Sequence, residues 1–245
     1  WFGTSMGVSK LSPGEHFSIE KENFTNYFIE DGLSTNIIWT QLEDKNKNIW
    51  YGTNRGGLCK LIRSQNKKPT FINYTKSDEG LPNNIIYSLA EDMFGNIWIG
   101  TNRGISIYDG TKFTNYYTKN GLVGNIVSTI ASTKDGKMII GTNTGLSICD
   151  AVPKEKISEI TFTNINESNG LMFSNIYTLK EDTKGNIWIG TFGGGVLLMK
   201  NESVKNAKEI KSFQFEKFDD THGLSDNSVV LMEFDKNGYL WMGTI

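Results

Sequence analysis

The chain has 245 residues, with 25 Lys and Arg against 27 Asp and Glu, giving a net charge of -2 with both signs interspersed. That balance excludes the basic footprint of a nucleic-acid surface and the polybasic patch that anionic lipid attracts, and no apolar run of 18 residues offers a spanning helix. Aromatics at 12% with only four prolines suit a packed body, not a disordered chain.

The chain opens on Trp1-Phe2-Gly3-Thr4, and the phrase returns at Trp50, Trp98, Trp188 and Trp241, with Ile139-Ile140-Gly141-Thr142 as a variant. The glycines of these six copies are 49, 48, 41, 49 and 53 residues apart. Such a period means an array of supersecondary units, none of which buries its apolar face alone.

Each unit reads as four short strands. An inner strand follows a Gly-Leu turn: Asn36 to Trp39, Asn84 to Tyr87, Asn125 to Val127, Asn175 to Tyr177 and Ser228 to Val230. Its apolar residues run together, as in strands covered on both faces. A tight-turn signal comes next, such as Phe94-Gly95-Asn96 or Lys184-Gly185-Asn186. The Trp-x-Gly-Thr phrase is the second strand, its Gly marking a place where another group approaches closely. A Thr-x-x-Gly turn leads to the third strand, and the outer strand carries phrases such as Phe113-Thr114-Asn115-Tyr116.

Antiparallel four-strand units without helices predict an all-β fold, a β-propeller of four-stranded antiparallel blades. Five to six blades are represented, as part of a larger ring of about seven. The predicted single propeller domain spans 1–245, with a partial first blade at 1–30, blades at 31–78, 79–119, 120–168 and 169–221, and a partial last blade at 222–245. Because the chain starts and stops inside a repeat, it reads as an excerpt of a longer protein, and its bare blade edges lead us to expect a homodimer. Cys59 and Cys149 fall in corresponding strands of different units, so no disulfide is expected.

The set Gly-Leu-x-x-Asn, then Glu-Asp-x-x-Gly-Asn-Ile-Trp-Ile-Gly-Thr, then Gly-Gly-(Leu/Val), clearest at Gly80 to Gly104 and Gly170 to Gly195, resembles the two-component regulator propeller repeat. The pattern departs at Ile139, where Trp is expected, and at Ser174, which holds the Asn position. The resemblance implies a non-catalytic, extracytoplasmic (periplasmic or cell-surface) sensor region of a membrane-anchored hybrid histidine kinase. It also implies neighbouring propeller and immunoglobulin-like domains and a glycan or oligosaccharide cue. The alternatives are a protein-interaction scaffold without a small ligand and, more remotely, a propeller lyase or glycosidase.

Strand alternation puts the turns before the inner strand and after the second strand at one end of every blade. That end collects the candidate ligand- or partner-binding residues Asn36, Trp39, Asn54, Arg55, Asn84, Tyr87, Asn102, Arg103, Asn143 and Phe192, whose amides, guanidinium groups and ring faces suit sugar hydroxyls. The competing readings are structural: repeated Asn residues cap turns, and the Trp recurring on every second strand is core. Catalytic and metal-binding residues are not expected, nor is a cofactor. His16 and His222 lack ligand-spaced partners, a sialidase-like site needs an arginine cluster with paired acids, and this chain has only Arg55, Arg63 and Arg103. His222 stands where other units have Asp31, Glu79, Asn120 and Asn169, which reads as turn chemistry.

Overall fold

Six antiparallel sheets follow one another along the chain. The structure, a computed structural model, describes residues 1–12, 24–63, 69–77 and 80–245; His16 and Glu79 lie outside them. Blade one holds β1 (Phe2–Thr4), β2 (Gly7–Leu11) and β3 (Phe24–Tyr27). Blade two holds β4 (Ile38–Glu43), β5 (Ile49–Thr53), β6 (Leu58–Ile62) and β7 (Thr70–Tyr74), and blade three β8 (Ile86–Glu91), β9 (Ile97–Thr101), β10 (Gly104–Tyr108) and β11 (Phe113–Tyr116). Blade four holds β12 (Val127–Ser132), β13 (Lys137–Thr142), β14 (Gly145–Asp150) and β15 (Thr163–Ile165). Blade five holds β16 (Ile176–Glu181), β17 (Ile187–Thr191), β18 (Val196–Met199) and β19 (Glu216–Phe218), and blade six β20 (Val229–Phe234) and β21 (Leu240–Thr244). Among the described residues, helix is confined to α1 (Asn201–Lys205) and short 3-10 segments, the longest at Lys154–Glu159, and none could cross a membrane.

The inner strands begin later than the sequence pattern suggests, by two residues in blades two to four and by one in blades five and six. Asn36 stays in the turn because its carbonyl accepts the Gly7 N–H of the preceding blade and its side-chain oxygen accepts the Ile29 N–H. The same link to the preceding blade recurs from Gly57 to Asn84, Gly104 to Asn125 and Gly195 to Asn227.

Blades lock through the second-strand glycines. A Cβ on Gly52 would stand 2.6 Å from Ile86 Cγ2 of the next blade, and one on Gly100 would stand 2.8 Å from Val127 Cγ1. The β-branched first residue of each inner strand therefore fills the space that glycine leaves.

The second-strand Trp residues pack toward the following blade. Trp98 is fully buried and Trp50 nearly so, Trp50 among Leu81, Ile86, Ile97 and Ile99 of blade three. Trp188 is half-buried against Val229 and Met232 of blade six, and Trp241, with no sheet packed over it, is 68% exposed. Each indole N–H donates to the Asp six residues earlier: Trp50 to Asp44 and Trp98 to Asp92 at 2.9 Å, Trp188 to Asp182 and Trp241 to Asp235 at 3.2 Å. The same carboxylates accept backbone N–H bonds that close the tight turn, as Asp92 does from Phe94 and Asn96. Where Ile139 replaces Trp, Thr133 replaces Asp: with no indole N–H to accept, a hydroxyl that takes the Lys137 N–H suffices. Ile139 is covered by Val204, Ala207 and Phe213 from the segment around α1.

Candidate functional site

Every complete inner strand is broken at the same place. Ile38 pairs with Thr53 and Thr40 with Gly52, leaving Trp39 unpaired between them. The same β-bulge isolates Tyr87, Ser128, Tyr177 and Val230. It is pinned from the other side by the residue after the conserved Thr. Asn54 N–H donates to Ile37 O, Asn102 to Ile85, Asn143 to Ile126, Phe192 to Asn175 and Ile245 to Ser228, at 3.0–3.3 Å. A bulge re-aims a side chain and recurs next to functional sites. Each of blades two to six thus contributes a bulged residue and a turn residue beside it, at the end carrying the Thr-x-x-Gly turns.

These pairs touch. The Tyr87 hydroxyl donates to Asn102 Oδ1 at 3.2 Å, and Tyr177 stacks on Phe192 with centroids 5.8 Å apart. Between blades, Trp39 stacks on Tyr87 at 5.2 Å and 12°. Trp39 is 47% exposed, Phe192 49% and Tyr177 38%, while Ile38 and Ile176 beside them are buried. Ser128 is turned away, its hydroxyl against the carbonyls of Ile176 and Gly141.

Of the sequence-predicted residues, Trp39, Tyr87 and Asn102 are in contact with one another, while Asn54, Asn143 and Phe192 hold the turn position matching Asn102 in their own blades. Asn36 and Asn84 do not join them, since their side-chain oxygens accept the Ile29 and Lys76 N–H groups within their own turns. Arg55 and Arg103 are exposed, and neither guanidinium has a partner among the described residues. They do not hold equivalent positions. The Thr101 hydroxyl accepts the Arg103 N–H and bonds to Gly104 O, but the Thr53 hydroxyl accepts the Gly56 N–H and bonds to Gly57 O. Blades two and five thus carry one extra glycine, and Arg55, at φ +69°, matches Gly193 at +79°.

Sequence reasoning left Tyr177 out of the site. Counting three residues from Ser174, as Trp39 stands three from Asn36, finds it; counting from Asn175 does not. The Asp–Trp pairing was also missed, although its six-residue spacing repeats four times.

Among the described residues, the histidine and both cysteines are held in structural settings. His222 Nδ1 lies 2.9 Å from the Asp219 carboxylate in a 3-10 turn, the position Asn120 and Asn169 hold in other blades. Hydrogen bonds from Thr221, Lys217 and His222 hold Asp219 well below the ordinary carboxylate range. Cys59 and Cys149 are buried and unpaired in β6 and β14, and burial pushes the Cys59 thiol up to about 12 and raises Cys149 too, so neither is a thiolate nucleophile. No group of three His, Cys, Asp or Glu side chains stands together for a metal among the described residues.

Residues 32–55, 80–103, 170–193 and 223–245 match the two component regulator propeller repeat. The first three matches run from the Gly-Leu turn through the bulge to the turn after the conserved Thr. No curated protein matches the chain significantly. Among solved structures, the chain is similar to the extracellular domain of a B. thetaiotaomicron protein described as a hybrid two component system: TM-score 0.73, 24% identity, covering 100% of this chain and 31% of that one. PorZ, a surface component of the type-IX secretion system of Porphyromonas gingivalis, gives TM-score 0.61 at 17% identity, covering 84% and 31%. This chain thus spans less than a third of either protein. Virginiamycin B lyase from Staphylococcus aureus gives TM-score 0.58 at 12% identity, covering 90% and 73%. These likenesses show the propeller fold, and four stretches of the chain match the two-component regulator propeller repeat.

Proposed function

We propose that this chain is the extracytoplasmic recognition propeller of a bacterial two-component receptor. It binds a glycan-derived cue at the bulged end of its inner strands and does no chemistry on it. The observation that carries this reading is the recurring bulge. The repeat holds the backbone constant in five blades and places Trp39, Tyr87, Ser128, Tyr177 and Val230 there, three aromatic rings, a hydroxyl and an aliphatic side chain. Variable chemistry on an invariant frame is how a scaffold carries a recognition site.

The repeat matches and the B. thetaiotaomicron relative support the receptor setting. The absence of any acid, histidine or lysine from the bulged and pinning positions supports binding over catalysis. Resemblance to a lyase at 12% identity extends to fold alone. Binding acts by favouring one arrangement of the receptor over another, which requires unequal affinity for the two. The purified chain on a carbohydrate array tests the reading. Retention of at least one class of glycan fragment is expected, weakened severalfold by Arg55→Ala with Arg103→Ala at the rim of the site. A chain that retains no carbohydrate of any class is not a glycan receptor.

A further inference from the structure

We infer that a groove at the tight-turn end of blades five and six, opposite the bulged end, docks a polypeptide segment carrying a carboxylate beside an aromatic ring. The inference stands apart from the recognition reading, since it concerns the other end of the strands.

The first observation is a carboxylate that the repeat supplies in two blades and withholds here. In the tight turn of blade two, the Lys45 N–H donates to Glu91 Oε2 of blade three at 2.8 Å. In blade four, the Lys134 N–H donates to the Glu181 carboxylate of blade five at 3.1 Å. Blade six has Phe234 at that position, so the matching Thr183 N–H of blade five has no acceptor among the described residues. Ser132 of blade four likewise offers no carboxylate to the Met93 turn, but there the Lys45 ammonium donates to the Met93 carbonyl at 3.2 Å.

The second observation is charge. Lys134, Lys184 and Lys236 line the groove, and none of their ammonium groups has a partner among the described residues. The acids beside them are engaged. Glu181 accepts the Lys134 N–H, Asp182 accepts from Lys184, Asn186 and Trp188, and Asp235 accepts from Asn237, Tyr239 and Trp241. Three uncommitted cations around an open N–H favour a carboxylate, held through charge-assisted bonds.

The third observation is the floor. Trp188, Leu198 and Phe234 line the same groove, with Phe234 edge-on to Trp188 at 6.4 Å. Over Trp50, the matching residue of blade two, a ring from the outer strands of blade three closes the space: Tyr108, edge-on at 5.8 Å. Blade six has two strands, and its contact with Trp188 comes from the inner one alone. The cleft measures about 430 Å³, within the roughly 300–1,000 Å³ of ligand clefts. Both halves of the occupant are thus defined by contacts the chain makes with itself, a carboxylate as Glu91 and Glu181 offer and a ring as Tyr108 offers. A polypeptide brings both together, and a small inorganic anion brings only the charge.

The test measures binding of fluorescein-labelled octapeptides that alternate Glu or Asp with Phe or Tyr. Counterparts carry Gln or Asn for the acids, or Ala for the rings, and inorganic phosphate serves as the free anion. The acidic aromatic peptides are expected to bind about tenfold more tightly than either counterpart, the scale of a charge-assisted bond or an aromatic anchor, and more weakly as salt rises. Lys184→Gln combined with Lys236→Gln is expected to weaken binding about tenfold with unchanged melting temperature, since both side chains are exposed. Phe234→Glu, which returns the carboxylate found in blades three and five, is expected to abolish binding. Equal binding of the Gln and Asn peptides or of the Ala peptides overturns the inference, as does binding indifferent to the lysine replacements. Phosphate binding as tightly as the peptides makes the groove an anion site only, and a chain that binds no peptide has no such docking surface. None of these results touches glycan recognition, which the carbohydrate array reads separately.

Discussion

Trp98, on the second strand of blade three, is fully buried and donates its indole N–H to Asp92, whereas Trp39, on the inner strand of blade two, leaves 47% of its surface in water and stacks on Tyr87. The first recurs in every blade but the fourth; the second is Tyr, Ser, Tyr and Val at the matching positions. A residue that the repeat needs for packing is copied from blade to blade, and one that only has to meet a ligand is free to vary. Trp241 refines the comparison. It keeps the hydrogen bond to Asp235, yet it is 68% exposed because no sheet packs over it. The hydrogen bond comes from within the blade, and the burial comes from the neighbour.

The largest expected effect separates these roles. Trp98→Ala should cost roughly 3–5 kcal/mol of stability, as for other buried aromatics, while Trp241→Ala should stay within about 0.5 kcal/mol. Denaturant midpoints decide it. Equal losses would mean that the indole–carboxylate bond, not the neighbouring blade, makes this residue matter.

A smaller effect concerns the glycine locks. Gly100→Ala puts a methyl hard against Ser88 Oγ of its own blade and 2.8 Å from Val127 Cγ1 of the next, and overpacking of this kind costs about 1–3 kcal/mol. At Gly243 the same methyl meets only Leu231 Cβ at 3.5 Å, ordinary contact within its own blade. Gly243→Ala should therefore leave thermal stability almost untouched. A matching loss at both sites would show that the glycines are kept for backbone reasons and not for the next blade's side chain.

Acid should weaken the blade turns more gently. Burial raises Asp44 and Asp182, but hydrogen bonds from Trp50 and Asn48, and from Asn186 and Trp188, outweigh it and hold both below the usual carboxylate value. A depressed folded-state pKa means the unfolded chain takes up protons first as pH falls. These carboxylates thus contribute fully above the ordinary Asp value near 3.9, and the contribution fades as pH drops through it toward the lower folded values. Melting temperature followed from pH 7 down to pH 3 should fall toward the acid end. In Asp44→Asn that fall should be shallower, and an identical acid profile would remove this turn from the account.

Much of the architecture was legible because the repeat averages out noise. Six copies of one phrase disclosed the strand order, the tight turns and the core Trp, each tied to a local rule of turn chemistry or alternation. The site was less legible for the opposite reason, since its residues do not repeat. Trp39 and Tyr87 stood out as aromatics on inner strands, but Tyr177 was hidden by the one-residue offset at Ser174. The bulge left no mark in composition or periodicity, since it shows only in the pairing of two strands. The two turn lengths after the conserved Thr were likewise masked, because Thr-x-x-Gly fits Thr53 to Gly56 as well as Thr101 to Gly104, although Gly57 takes the structural place of Gly104.

The central claim, that the bulged inner-strand aromatics form the recognition surface while the second-strand Trp residues form the core, is open to one spectrum. The chain has six tryptophans, and each indole N–H gives its own proton–nitrogen NMR signal. On titration with an oligosaccharide retained on the carbohydrate array, the Trp39 indole signal should move, with those of Trp50, Trp98 and Trp188 unchanged. A Trp39 signal that stays in place while the bound ligand shifts any of the other three would contradict the account.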